Sequence, residues 1–135
     1  QVDDMITFTA TDTWVMLALL FNRTENGSTL RDLIATADYI NHAILTYEEL
    51  ASSLSRLMQA GYVVKQADRY CATSVIRSYY VQTTRSRRAI GKDWQDVEHF
   101  LQTTPMTELA PRRAPSRVVS RASYERAVRA YLSSV

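Results

Sequence analysis

The sequence predicts an α+β fold that is mainly α, with one small β-hairpin near its middle. Hydrophobic residues make up 46% of the 135 residues, and many of them recur at helical spacing. Gly and Pro number only three each, which leaves few tight turns for a many-stranded sheet. The length is typical of one domain, in which we expect a core over residues 1–90 and a helical C-terminal extension over residues 91–135.

An apolar helix is predicted near the start of the chain. Residues 5–9 alternate, which indicates an edge strand or an ordered arm. Thr11 or Asp12 is then expected to cap a helix of about residues 13–22. Because this helix is apolar nearly all round, we expect it in the middle of the domain.

A second helix follows a polar turn. Ser28 or Thr29 is expected to cap it, and we expect it to end near His42. Its predicted buried residues are Leu30, Leu33, Ile34, Ala37, Ile40 and Ile44. These positions recur every three to four residues and therefore share one side of a helix.

A third helix and a hairpin form the centre of the prediction. Thr46 and Glu49 have the spacing of a capping box, in which each side chain bonds the other residue's backbone N–H. The helix should end at Gly61, where a left-handed residue is wanted. Its predicted buried residues are Leu50, Leu54, Leu57 and Met58. Residues 62–65 and 70–73 are β-prone and are separated by a short turn, which predicts the hairpin.

Three further helices are predicted after the hairpin. Thr73 or Ser74 caps the fourth, Gly91 breaks the chain before the fifth, and residues 103–116 form an extended connection to a last helix over residues 120–132. The predicted buried residues are Val75, Ile76, Tyr79, Tyr80 and Thr83 in the fourth helix, and Trp94, Val97 and Leu101 in the fifth.

Three helices, a glycine and a hairpin are the element order of a winged helix. Residues 50–73 resemble the recognition helix and wing of bacterial winged-helix regulators of the antibiotic-resistance-repressor type. The residues that match that family's pattern are Leu57, Gly61, Tyr62, Val63 and Thr73. Residues 38–50 are also similar to a group of small bacterial winged-helix proteins without assigned function. The resemblance covers about residues 12–80 and implies a winged-helix core with double-stranded DNA as its partner.

DNA recognition in such a fold uses the outward face of the third helix and the hairpin. The expected DNA-contacting residues are Ser52, Ser55, Arg56, Gln59, Lys65 and Arg69. Arginine pairs with guanine and glutamine with adenine, whereas hairpin cations contact phosphate. Glu48 and Glu49 oppose this function, because they lie at the helix end that enters the groove first. A non-catalytic protein-interaction or oligomerisation module on the same fold therefore stays open as the alternative.

Charge is unevenly distributed along the chain. Residues 1–50 carry two basic and eight acidic side chains, a net charge of −6. Residues 51–104 and 105–135 each carry a net charge of +4. Such asymmetry indicates either a face that binds polyanions or opposite charges that meet within the fold or across a dimer.

The last predicted helix carries an apolar stripe. Its residues are Tyr124, Val128, Tyr131 and Leu132. The stripe must be buried either on the core or against a second copy of the chain. We expect a homodimer, because winged-helix regulators bind paired half-sites as dimers.

Several classes of protein are not expected from the composition. Cys71 is the single cysteine, so neither a disulfide scaffold nor a cysteine-rich metal site is possible. His42 and His99 stand far apart without a ligand motif, and we expect no enzyme, cofactor or metal. The longest apolar run, residues 14–21, is shorter than the roughly 18 residues of a membrane span. We therefore expect a cytoplasmic protein without a membrane partner.

Overall fold

The elements of the computed structural model confirm an α+β fold that is mainly helical. The structure describes residues 6–22, 26–83, 90–104, 111 and 113–134. The helices of these residues are α1 (Ala10–Phe21), α2 (Leu30–Asn41), α3 (Tyr47–Gln59), α4 (Ser74–Thr83), α5 (Ile90–Thr103), α6 (Pro115–Val118) and α7 (Arg121–Ser133). The strands β1 (Val63–Gln66) and β2 (Arg69–Ala72) form an antiparallel pair.

Helix α1 lies at the centre of the core, as its apolar sequence predicts. Every residue from 12 to 20 is buried, and α2, α3 and α5 all pack on it. The predicted start at residue 13 is wrong. The helix begins at Ala10 with Thr9 as its cap, and the Asp12 carboxylate accepts the Thr9 N–H at 2.8 Å. Residues 6–9 form no strand, although Ile6 and Phe8 pack against the core.

Helix α2 confirms the predicted cap and end. The Thr29 hydroxyl accepts the Asp32 N–H, and the helix ends before His42, which has a left-handed φ of 55°. The Trp14 indole N–H donates to the Ala37 carbonyl at 2.9 Å and connects α2 to α1. Ile44, predicted for the buried side, follows the helix and is only half-buried.

The passage from α3 into the hairpin also matches the prediction. Both bonds of the capping box between Thr46 and Glu49 are present, and Gly61 has a left-handed φ of 84°. The α3 residues Leu50, Leu54 and Leu57 are fully buried, whereas Met58 is half-buried. In the hairpin Val63 pairs with Ala72 and Gln66 with Arg69.

The loop before α2 is joined to the hairpin. Ser28 and Tyr70 exchange two backbone hydrogen bonds of 2.9 and 2.8 Å, which form an isolated β-bridge. Gly27 has a φ of 82°, and a Cβ atom there would lie 2.3 Å from Cys71 Sγ and 2.6 Å from the Tyr70 carbonyl oxygen. Only glycine therefore allows this close approach of the loop to β2.

The C-terminal helices pack directly on this core. Helix α5 packs on α1, and α7 packs on α2. The predicted break at Gly91 is wrong, because Gly91 is the second residue of α5. The predicted burial of Ile76 and Tyr80 in α4 is confirmed, whereas that of Val75 is wrong, because Val75 is mostly exposed. The expected connection over residues 103–116 overlaps a short helix, α6, that the sequence did not indicate.

Candidate functional site

The face of α3 that was predicted to contact DNA is largely covered. Ser55 is only 1% exposed, and its hydroxyl donates to the Arg113 carbonyl at 2.6 Å. Helix α6 packs over α3, and Ser52 and Gln59 are half-buried. Within α3, every residue of which is described, only Glu48 is largely exposed. The prediction that Ser55 faces outward is therefore wrong, because the chain around Arg113 covers this side of the helix.

Arg56 is also committed within the fold. Its guanidinium donates three hydrogen bonds of 2.9–3.1 Å to the Asp12 carboxylate, which is fully buried. The Arg56 side chain is 22% exposed. The same carboxylate accepts the Thr9 N–H, so the ion pair connects α3 to the start of α1. The prediction that Arg56 projects outward is wrong, because its charge neutralises a buried carboxylate 44 residues away.

The two predicted hairpin cations have different surroundings. Lys65 is exposed, and its Nζ lies 5.4 Å from the centre of the Tyr70 ring. Arg69 is half-buried, and its Nη1 donates to the Gly27 carbonyl at 3.2 Å. Lys65 is therefore exposed to solvent, whereas Arg69 is hydrogen-bonded to the loop before α2.

Lys65 lines a groove between the hairpin and the starts of α2 and α7, which we call the hairpin groove. The groove has a volume of about 310 Å³. Three cationic side chains from three elements line it, namely Arg31 of α2, Lys65 of β1 and Arg126 of α7. Asp68 of the hairpin turn lines it as well and leaves a net positive lining.

The two helices that border the hairpin groove begin there. Their caps, Thr29 for α2 and Ser120 for α7, both line the groove, which brings the positive ends of two helix dipoles to it. Arg31 lies 3.7 Å from Asp32 in an exposed pair, so part of its charge is offset. Arg126 donates to the Ser123 hydroxyl at 3.1 Å, and this partner carries no charge.

One wall of the hairpin groove is formed by buried, uncharged side chains. Tyr70 is 2% exposed, and its hydroxyl donates to the Val118 carbonyl at 2.8 Å. Burial raises the pKa of Tyr70 to about 12, so its phenol stays neutral at physiological pH. Val118 and Val119 are buried beside it. The groove thus combines cationic side chains with a neutral, apolar wall.

A second groove of about 260 Å³ lies between the end of α3, β1 and the chain near Arg113. It brings together three of the predicted residues, Ser55, Gln59 and Lys65, and adds Arg113. Lys65 lines both grooves. The sequence prediction missed Arg31, Arg113 and Arg126, and the positive charge of residues 105–135 was the only sign of the last two.

The predicted dimer stripe packs on its own chain. The Tyr124 hydroxyl donates to the Leu45 carbonyl, and the Tyr131 hydroxyl donates to the Asp38 carboxylate. Val128 packs against the core. Leu132 is the one exposed residue of the stripe, at 53%. The alternative that the stripe packs on the core is therefore observed, and the assignment of these residues to a dimer interface stays a prediction. The homodimer itself stays a prediction.

Both stripe tyrosines hold their protons tightly. The hydrogen bond to Asp38 raises the pKa of Tyr131, and burial adds to this effect. Burial also raises the pKa of Tyr124, and the negative charge of Glu49 contributes further. These hydroxyls therefore donate to their partners over the whole physiological range of pH.

Comparisons of the chain with protein-family models, with curated proteins and with solved structures found no match. In the described ranges no helix is long and apolar enough to cross a membrane. The same residues contain no cluster of His, Cys, Asp and Glu side chains that could hold a metal ion. The two grooves beside Lys65 thus remain the candidate site.

Proposed function

We propose that the protein is a winged-helix protein that binds double-stranded DNA mainly through phosphate contacts on its hairpin side. The order of three helices and a hairpin supports this, as does the bridge between Ser28 and Tyr70, which joins a third backbone segment to the hairpin. The observation that carries the proposal is the convergence of Arg31, Lys65 and Arg126 on one groove. Cations on one surface attract the DNA backbone regardless of sequence.

Phosphate contacts fit the surface better than base reading by α3. A helix that reads the major groove needs free polar side chains along its outer face. Ser55 and Arg56 have partners within the chain, and Glu48 at the start of the helix is paired with Arg121. The hairpin side carries three cations around one groove, with Arg113 beside the second groove. Binding should therefore depend steeply on salt and weakly on sequence.

The test is a titration of a fluorescent random-sequence duplex, followed by anisotropy at several salt concentrations. We expect the logarithm of the affinity to fall linearly with the logarithm of the salt concentration. Replacing Lys65, Arg31 or Arg126 with alanine should lower the slope by about 1 for each phosphate that the variant no longer neutralises. The triple variant should lose most of the salt-dependent binding.

The control is Lys92→Ala, which removes an exposed cation on α5, a helix that borders neither groove. This variant should keep the wild-type salt slope. Absence of duplex binding at low salt would eliminate the proposal. An unchanged slope in the triple variant would place any binding on another surface.

A second candidate is a non-catalytic interaction module on the same fold. Two large apolar side chains support it, because Tyr39 of α2 is 66% exposed and Leu132 of α7 is 53% exposed. Exposed residues of this kind occur at protein interfaces. If they form one, Tyr39→Asp combined with Leu132→Asp should lower the mass measured by light scattering. A monomeric wild-type protein would remove self-association from this candidate.

A further inference from the structure

The hairpin groove has the size and lining of a site for a small anion. We infer that it binds a compact phosphate monoester, with the phosphate among the cations and a small flat group against the apolar wall. This inference goes beyond the proposed function, because it requires no duplex on the surrounding surface. It rests on the origin of the cations, their charge balance and the volume of the groove.

The cations of the groove converge from distant parts of the chain. Arg31 is the second residue of α2, Lys65 lies in β1, and Arg126 lies in the second turn of α7. Two arginines and a lysine that line one space can surround a tetrahedral anion, and the arginine fork matches phosphate oxygens in pairs. With Asp68, the lining carries three positive charges and one negative charge, and Asp32 offsets part of the charge of Arg31. The positive charge that remains suits an anion such as a phosphate monoester.

The volume and the wall limit the rest of the ligand. A volume of about 310 Å³ lies at the lower end of the roughly 300–1,000 Å³ of ligand sites. The wall includes Tyr70, Val118 and Val119, all buried and uncharged. A single aromatic ring on the phosphate fits this volume and can lie beside the apolar wall.

Binding in the hairpin groove should also affect duplex binding. Arg31, Lys65 and Arg126 line this groove and also form the proposed duplex surface, so a bound anion competes for the charge that duplex DNA would use. Lys65 lines the second groove as well. A phosphate monoester would therefore weaken duplex binding, and by linkage the duplex would weaken binding of the monoester.

The experiment is a titration of the full-length ¹⁵N-labelled protein with phenyl phosphate, followed by amide chemical shifts. Inorganic phosphate and the monoanion benzenesulfonate are titrated in parallel. We expect saturable shifts around residues 29–31, 65–70 and 118–127, with phenyl phosphate binding more tightly than either comparison ion. Arg126→Ala and Lys65→Ala should each raise the Kd at least about fivefold.

The matched control is Arg129→Ala, which removes an exposed arginine of α7 that does not line the groove. Its Kd for phenyl phosphate should stay within about twofold of the wild-type value, since it loses the same charge without a direct interaction. Equal weakening by Arg126→Ala and Arg129→Ala would overturn the site. Absence of saturation up to about 20 mM phenyl phosphate would overturn it as well.

The two proposals can fail separately. Saturable phenyl phosphate binding in a protein that binds no duplex would support the groove and eliminate the DNA function. Salt-dependent duplex binding without saturable phenyl phosphate binding would support the DNA function and eliminate the phosphate site in the groove. Competition between the two ligands, weakened in Lys65→Ala and in Arg126→Ala, would support both.

Discussion

The outer face of α3 and the hairpin groove both carry cationic and polar side chains, but they use them differently. On α3, the Arg56 guanidinium and the Ser55 hydroxyl are bonded to Asp12 and to the Arg113 carbonyl. In the groove, Lys65 and Arg126 meet around open space. An outward position in a helix repeat therefore does not identify a binding residue. The partner of each charge has to be known first.

The largest effect is expected from breaking the ion pair of α3. Arg56→Ala leaves the Asp12 carboxylate buried without its cation and should lower the free energy of unfolding by about 3–5 kcal/mol. Urea denaturation measures this change. Arg121→Ala is the comparison, because Arg121 and Glu48 form an ion pair at 3.2 Å with 61% and 76% of their side chains exposed. It should cost less than about 1 kcal/mol.

The opposite result for Arg56 would reverse the comparison of the two regions. If Arg56→Ala kept the wild-type stability and lost duplex affinity, α3 would be the interface. Such a result would also support base recognition by α3.

A middle-sized effect is expected from the glycine that joins the hairpin to α2. Gly27→Ala combines a left-handed φ with a Cβ only 2.3 Å from Cys71 Sγ, and should cost about 2–4 kcal/mol. Gly61→Ala has a similar φ of 84° but no atom within 4 Å, so strain alone should cost about 1 kcal/mol. Thermal unfolding of both variants provides the comparison. Equal losses would show that the contact with Cys71 relaxes freely.

The smallest effect at neutral pH is expected from the wall of the groove. Tyr70→Phe removes the bond to the Val118 carbonyl and should cost about 1–2 kcal/mol. The pKa of Tyr70 is raised from 10.0 to about 12, so the folded state holds this proton more tightly than the unfolded state. The stability it contributes is complete below pH 10 and is lost as pH rises from about 10 to about 12.

Urea denaturation at pH 8 and at about pH 11.5 measures this contribution. Between these values Tyr70→Phe should lose less stability than the wild-type protein. An identical loss in both proteins would show that Tyr70 titrates normally. Tyr131→Phe serves as the comparison, since the pKa of Tyr131 is raised mainly by its bond to Asp38.

The sequence was sufficient where the determining signals are local. Thr46, Glu49 and Gly61 lie within sixteen residues of one another and fix the start of α3 and its passage into the hairpin. The burial of the α3 leucines followed from their spacing alone. Such signals depend on backbone geometry and one helix face, both of which a short window contains.

The candidate site could be predicted only in part, because most of its residues are distant from Lys65 in sequence. The bond from Ser55 to Arg113 spans 58 residues, and its acceptor is a main-chain carbonyl, which has no sequence signature. Arg31 and Arg126 meet only because α7 packs on α2. The apolar pattern of α7 predicted that one side of this helix is buried, but it did not identify α2 as the element that covers that side.

The segment that covers α3 is held by its backbone. The hydroxyls of Tyr47, Ser55 and Tyr70 donate to the carbonyls of residues 119, 113 and 118. Because every amino acid carries that carbonyl, natural selection can alter the exposed side chains of this segment, including Arg113 and Arg117, without loosening its attachment. The charge beside the hairpin can therefore change during evolution while the hydrogen bonds of Tyr47, Ser55 and Tyr70 are kept.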